Sequence, residues 1–383
     1  MVQKELLQII KCVLTQKNAN HVHIESWERL ISLAKTQNVL TVVAYFVESL
    51  SEEKQPDANI LKYLKNYLFQ MTVFSANQLH AVEAMQKTLE EEEIYSVKLK
   101  GSCTKLRYTN DVLRTMGDID ILYKPEQHKA FHSVLEEKLQ YGNFQEGRKN
   151  DTYDKEPNLH IEAHRELVGS DSFFAEYYSH VWERCVPVKG CTYTYEMTLE
   201  DEYIFNFIHL TEHFKNGGIG VRFIMDIYVY EHLDMDFDYV QKVLDSFGLL
   251  DFYHTIVNLS ECWFGEKTAT PLENKLAAYI FSGGVFGNLE NASALSMAKG
   301  GKFKFILCTC FPSYKDMCSM FTWLKGKKIL LPLAWVIRAF RSLFRRRENI
   351  KEELTVFQIG DADRGKQIRE FYGECGFPKD IYN

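Results

Sequence analysis

Gly117-Asp-Ile-Asp-Ile-Leu-Tyr123 is the stretch on which the fold of this 383-residue chain turns. Apolar and acidic residues alternate in it, and a period of two is that of a half-buried strand. Side chains two apart on a strand leave from one face, so Asp118 and Asp120 lie side by side while Ile119 and Ile121 face a core. Two carboxylates held together repel, and one pKa rises unless a divalent cation keeps both ionised. Mg²⁺ suits that task, because it takes oxygen ligands and shares its shell with phosphates. Asp-x-Asp alone equally describes two solvated strand-edge residues, so its surroundings decide between the readings.

Upstream, Tyr95, Val97 and Leu99 interleave with Ser96, Lys98 and Lys100 and stop at Gly101-Ser102, a strand entering a tight turn. Where such a turn opens a helix, bare backbone N–H groups can hold a phosphate. Gly101 permits close approach and Ser102 can donate a hydrogen bond. Lys100 reads either as a phosphate partner or as an exposed strand lysine. Arg114, four residues before Asp118, reads either as a counter-charge for a triphosphate or as a surface arginine.

Downstream, Lys124-Pro125 closes the strand, and Pro125 opens a helix carrying Ala130, Phe131, Val134, Leu135 and Leu139. Two strand-like stretches follow, near Gly142 to Arg148 and Leu159 to His164. The second offers Glu162 as a third acid, on the face opposite Ile161 and Ala163. Val186 and Val188, Lys189-Gly190, and Thr192 to Tyr195 spell a hairpin.

The flanks are helical. Apolar residues recur at three and four from Val2 to Val13 and from Trp27 to Ala34, and a longer helix is expected from Asn59 to Glu92. From Leu199 the helical period returns, including Tyr203 to Phe214 and Arg222 to His232, punctuated by Gly217-Gly218 and Gly283-Gly284. The expected fold is α+β: a small mixed sheet between an N-terminal helical unit (1–93) and a mainly helical C-terminal unit (199–383), with the core at 94–198.

A hydrophobic fraction of 46% and a charged fraction of 25% belong to a folded soluble protein. A net charge of -7 argues against a surface that tracks nucleic acid. Nine scattered cysteines without a metal-type pair imply a reducing cytoplasm; Cys185 with Cys191 and Cys308 with Cys310 read as incidental. The N-terminus lacks a signal-peptide pattern, and the apolar run Ile329 to Ile337 is far short of the roughly 20 residues of a spanning helix. Lys325 to Arg347 holds eight basic residues and no acidic one, beside or among Trp323, Leu330, Leu331, Trp335, Ile337, Phe340, Leu343 and Phe344. It reads as a core-packing helix with a solvated cationic face, or as a segment for an anionic membrane surface or acidic partner. Glu348 to Glu353 reads as an exposed connector. The oligomeric state leaves no signature.

Other constellations compete. His209-Leu-Thr-Glu-His213 has the spacing of an inverted zinc-peptidase pair, but nothing in the sequence marks a third ligand. Arg222 and Asp226, one helical turn apart, read most simply as a helix-surface ion pair. His160, Glu162 and His164 share a strand face and offer a zinc site, although only Glu162 is required beside Asp118 and Asp120.

Leu99-Lys-Gly101, Arg114-Thr-Met-Gly-Asp-Ile-Asp-Ile-Leu122 and Ile161-Glu-Ala-His-Arg-Glu-Leu167 together resemble the uncharacterised bacterial nucleotidyltransferase family of the DNA polymerase beta superfamily. The resemblance covers most of the chain, including the N-terminal helices, Gly283-Gly-Val-Phe-Gly287 and Pro332 to Arg338. It implies transfer of a nucleoside monophosphate from an NTP, with Mg²⁺ or Mn²⁺, to an unidentified small-molecule, peptide or protein acceptor. By the same resemblance Gly101 and Ser102 form the nucleotide-binding turn, and Asp118, Asp120 and Glu162 are the catalytic metal ligands; Lys100 and Arg114 are added as nucleotide-binding candidates from the reading of the residues themselves. His164, His209, His213, Arg222 and Asp226 are candidates for the acceptor side of the cleft. The family more often has Asp where Glu162 stands, which keeps open an alternative: a frame that binds nucleotide or a partner without turnover.

Overall fold

The N-terminal periodicity becomes α1 (Val2–Thr15) and α2 (Trp27–Thr36), the second capped by Ser26, whose side chain accepts from the Arg29 N–H. Asp57 caps α4 (Ala58–Glu91), a helix of 34 residues. Between them lies α3 (Leu40–Glu48), which the sequence reading passed over. Leu-Thr-Val-Val-Ala-Tyr-Phe-Val-Glu is apolar on every side and so shows no helical period; the fold buries it among α1, α2 and α4. The computed structural model describes residues 1–17, 21–147, 149–169, 171–285, 287–288, 290–295, 311–324, 326–345 and 362–382. Cys308, Cys310 and Glu348 to Glu353 lie outside them, as do Arg148, Lys325, Arg346 and Arg347.

The strands are β1 (Ser96–Lys98), β2 (Ile119–Tyr123), β3 (Gly142–Gln145), β4 (Asn150–Lys155), β5 (Leu159–His164), β6 (Val186–Pro187) and β7 (Thr194–Glu196). They form one seven-stranded mixed sheet in the order β3-β4-β5-β2-β1-β7-β6. β2 runs parallel to β5 and β1 parallel to β7, and the other neighbours are antiparallel. The β6-β7 hairpin is the expected one. β4 was not foreseen, because Asn-Asp-Thr-Tyr-Asp-Lys lacks an apolar alternation; its place comes from full pairing along β5.

α5 (Gly101–Thr104) follows β1, and α6 (His128–Ser133) follows the turn at Pro125. α7 (Ala175–Ser179) and α8 (Val181–Arg184) are short. The C-terminal part adds α9 (Leu199–Lys215), α10 (Val221–Glu231), α11 (Phe237–Ser246), α12 (Leu250–Trp263), α13 (Pro271–Phe281), α14 (Tyr314–Met320), α15 (Leu331–Arg345) and α16 (Ala362–Glu374). No helix among the described residues is long and apolar enough to cross a membrane.

The sheet separates two cores, as the alternation in β2 demands. Ile119, Ile121 and Tyr123 pack with Met85 and Leu89 of α4 and Phe131 of α6. Leu122 and Val97 join the larger core, which runs from α1 to α3 through α9 to α13 and α16. Asp120 shares the face of Leu122 and so lies on the side of α9 and α10.

Glycine-rich loops tie the helical parts together. Gln37, just after α2, donates to the Gly283 carbonyl at 2.7 Å and accepts from the Val221 N–H at 2.9 Å. The Val285 N–H bonds Thr36 O at 3.1 Å, and the Asn288 N–H bonds Gly217 O at 3.1 Å. Gly287 has φ +83°, and a Cβ there would fall 2.5 Å from the Gly217 carbonyl oxygen. No other residue fits that crossing.

Candidate active site

Strand register assembles the centre of the site. Parallel pairing of β2 with β5 sets Asp120 opposite Glu162 and Leu122 opposite His164. His164, two residues past Glu162, leaves from the same face. Its Nε2 lies 2.8 Å from Asp120 Oδ1 and 3.5 Å from Glu162 Oε2. One ligand atom from each of Asp120, Glu162 and His164 lies within 4.8 Å of the others. Lys100 Nζ donates to the same Asp120 oxygen at 2.6 Å.

The charges answer one another. Burial pushes the Asp120 carboxyl up, but the His164 hydrogen bond and the Lys100 ammonium outweigh it and hold its pKa below the ordinary value. The His164 hydrogen bond likewise lowers Glu162. Burial works to lower His164, yet its bonds to Asp120 and Glu162 prevail and raise it. Asp118 sits just before β2, outside the trio; burial, then the charges of Glu162 and Asp120, raise its pKa. The sequence reading placed three acids together and His164 on the acceptor side. The structure puts His164 between two of those acids.

The turn after β1 is tight, with the Thr104 N–H reaching Lys100 O at 2.8 Å. Lys100 holds φ +45°, ψ -121°, a region that side chains rarely occupy outside functional turns. A Cβ on Gly101 would come 2.7 Å from Met116 Cβ, so the turn needs glycine there. Ser102 is buried, with its hydroxyl 3.8 Å from Met116 Sδ, and does not line the cleft.

Arg114 is no surface residue. Its Nε donates to Asp226 Oδ1 at 2.8 Å, and the Tyr108 hydroxyl donates to the same oxygen at 2.7 Å. Arg222 Nη1 reaches the Thr115 carbonyl at 3.3 Å. The helix-surface pair expected of Arg222 and Asp226 is therefore corrected: both are buried, and Asp226 holds Arg114. Burial, then Arg114, pushes Arg222 down to about 10. A spacing of four places two residues on one helix face, but it is silent on what covers that face.

Two chambers flank the trio. The smaller, about 430 Å³, is lined by Gly101, Arg114, Asp118, Asp120, Arg222 and Asp226 among others. The larger, about 770 Å³, has Lys149, Asp171, Phe173, Glu212 and Lys215 in its walls. Lys100, Glu162, His209 and His213 line both. His209 and His213 meet Nε2 to Nε2 at 3.2 Å. Burial, then Lys100 and His213, pushes His209 well down; burial and Arg222 bring His213 to about 4. Burial thus favours the neutral form of both rings. Among the described residues the metal-capable group is Asp120, Glu162 and His164, so the His-x-x-Glu-His helix lines a junction and takes no part in that group. His160 turns to Asp154 at 2.6 Å.

The family described as "Uncharacterised nucleotidyltransferase" matches residues 24–265, more than half of the chain. The chain belongs to this family. It is accordingly a transferase of phosphorus-containing groups. No curated protein and no solved structure matches it. The family's divalent-metal chemistry fits the donor set of the site, two carboxylates and an imidazole whose ligand atoms lie within 4.8 Å of one another.

Several residues in and around the site of this nucleotidyltransferase were missed in sequence. Tyr108, which fixes Asp226, and Asn206 and Tyr230, beside the smaller chamber, sit among ordinary helix and turn residues with no signal of their own. Leu167 to Gly169 and Asp171 to Phe173, in the wall of the larger chamber, directly follow the Ile161 to Leu167 stretch, which was the one available pointer.

Proposed function

We propose that the protein transfers a nucleoside monophosphate from an NTP to an acceptor hydroxyl, with Mg²⁺ or Mn²⁺ held by Asp120, Glu162 and His164 and with Asp118 alongside. The observation that carries this reading is the β2-β5 register, which gathers the trio between two chambers, Asp120 lining the smaller, His164 the larger and Glu162 both. When bound, the metal would polarise the phosphate and offset its charge.

The chain's own groups divide the remaining work. The Gly101 turn lets the phosphates approach the backbone, and Arg114 and Arg222 make the smaller chamber the place for polyphosphate. Lys100, at the edge of both chambers, adds a further positive charge. His209 stands where the chambers meet, and its imidazole can hydrogen-bond the acceptor hydroxyl there. The larger chamber, with both signs of charge and apolar Leu167, Phe173 and Phe205, receives the acceptor, a small molecule or a peptide or protein side chain.

Purified protein incubated with each labelled NTP, Mg²⁺ or Mn²⁺, and a metabolite and peptide extract is expected to release pyrophosphate and label an acceptor. Absence of both NTP binding and pyrophosphate release sinks the proposal. A second reading, nucleotide binding without turnover, draws on Lys100 and His164 both engaging Asp120. Tight NTP binding without pyrophosphate release in the presence of acceptor extract would favour it.

Metal affinity should depend on pH with a definite sign. His164 and Asp118 both have raised pKa values, and ligands bind metal only when deprotonated. Protons compete as pH falls through those values, so Mn²⁺ binding by calorimetry is expected to be weaker at about pH 5.5 than at about pH 7.5, with protons released on binding. Equal affinities at the two would contradict the assignment.

A further inference from the structure

Seven of the fourteen large apolar side chains exposed among the described residues lie between Phe311 and Val336: Phe311, Met320, Trp323, Ile329, Leu330, Leu333 and Val336. That concentration is not the scatter of single apolar residues on an ordinary surface. These residues flank one small core in which Met317, Phe321 and Leu324 pack with Leu331, Ala334, Trp335 and Ile337 of α15. Hydrogen bonds from Trp335 Nε1 to Pro312 O and from Tyr314 Oη to Leu324 O, each 2.9 Å, tie the unit together.

Core packing thus accounts for one stripe of α15. A second stripe points outward: Leu333 is 52% exposed and Val336 51%, and Ile329, on the turn before them, is 93% exposed. The same spacing continues in the sequence at Phe340 and Phe344. Lys327 and Lys328, both exposed, stand next to this stripe, and no acidic residue occurs from Lys325 to Arg347 in a chain whose net charge is -7.

We propose that this face, carried by Trp323, Lys327, Lys328, Ile329, Leu333 and Val336, docks the protein on an anionic membrane surface. Apolar side chains projecting from a helix, with lysines beside them, match the acyl boundary and phosphate headgroups of one leaflet. At 15 residues α15 lies on the bilayer and does not span it. A protein partner would have to bring an acidic rim and an apolar groove together, whereas an anionic bilayer presents both charge and apolar depth at every point.

The test is cosedimentation of the full chain with vesicles of phosphatidylcholine alone or with added phosphatidylglycerol. Binding to the phosphatidylglycerol vesicles is expected to be about tenfold tighter or more, and to weaken as salt is raised. Ile329→Asp combined with Val336→Asp should lower it by about tenfold with the melting temperature unchanged, since both side chains are exposed. Lack of preference for the anionic vesicles overturns the proposal, as does unaltered binding by the double variant. A dimer seen by light scattering and dissociated by these substitutions, without vesicle binding, would overturn it in favour of a second copy of the chain.

Discussion

Asp120→Asn is expected to lower nucleotide transfer by about a hundred- to a thousandfold, the scale on which a preorganised charge at the reacting phosphate acts. The side chain keeps its shape and loses its charge. Asp120 pairs in register with Glu162, and its Oδ1 meets both His164 Nε2 and Lys100 Nζ, so the two shortest charged contacts at the centre of the site pass through it. The amide leaves those cationic donors without their anion, and a metal without a ligand oxygen of full charge. Labelled transfer and metal titration should fall together. A variant within about tenfold of the parent in both would show that the convergence of Asp120, Glu162 and His164 is incidental to catalysis. Asp118→Asn, measured in parallel, tells whether the acid outside the trio is also required.

Asp226→Ala is expected to cost about 3 to 5 kcal/mol of stability, measured as a shift in the urea unfolding midpoint. Arg114 is buried, and Asp226 receives its Nε on both oxygens, at 2.8 Å and 3.0 Å, as well as the Tyr108 hydroxyl. Arg222 adds a second buried guanidinium close by. Deleting the carboxylate leaves the buried Arg114 guanidinium without its counter-charge, whereas replacing both partners by apolar residues removes the charge with its counter-charge. Arg114→Met together with Asp226→Leu should therefore recover much of the loss. A cost below about 1 kcal/mol for Asp226→Ala would mean that the arginines find other anions or water. Activity of the recovered double variant then reports what Arg114 does for nucleotide, separated from what it does for folding.

The elements that gather the site were readable where a local pattern and a local cause coincide. Ile119 and Ile121 announced β2, Gly101 the turn, Ile161 and Ala163 the strand bearing Glu162, and Lys189-Gly190 the hairpin. α3 escaped because a helix buried on all sides has no polar face to give it a period. β4 escaped because its polar residues owe their extended shape to β5 and not to their own preference. The site shows the same division. That Asp120 and Glu162 are acids on strand faces, with Asp118 just before the first of them, is a local fact. That β2 runs parallel to β5 in a register placing Glu162 beside Asp120 and His164 within reach of it is a fact about two segments some forty residues apart, as the pairing of Asp120 with Glu162 shows. Arg114 with Asp226 likewise joins a turn to α10, and neither carries a mark of the other.

The glycine crossing around Gln37 sets a boundary on dissection. The stretch recognisable as a nucleotidyltransferase ends at residue 265, yet Val285 and Asn288 bond to Thr36 and Gly217 inside it, and Gln37 reaches out to Gly283. A chain shortened to the recognisable stretch would expose the Gly217-Gly218 bend and strand Gln37 without one of its two anchors, directly beside the start of α10 and its Arg222 and Asp226. The transferase thus draws on contacts that lie beyond its family stretch.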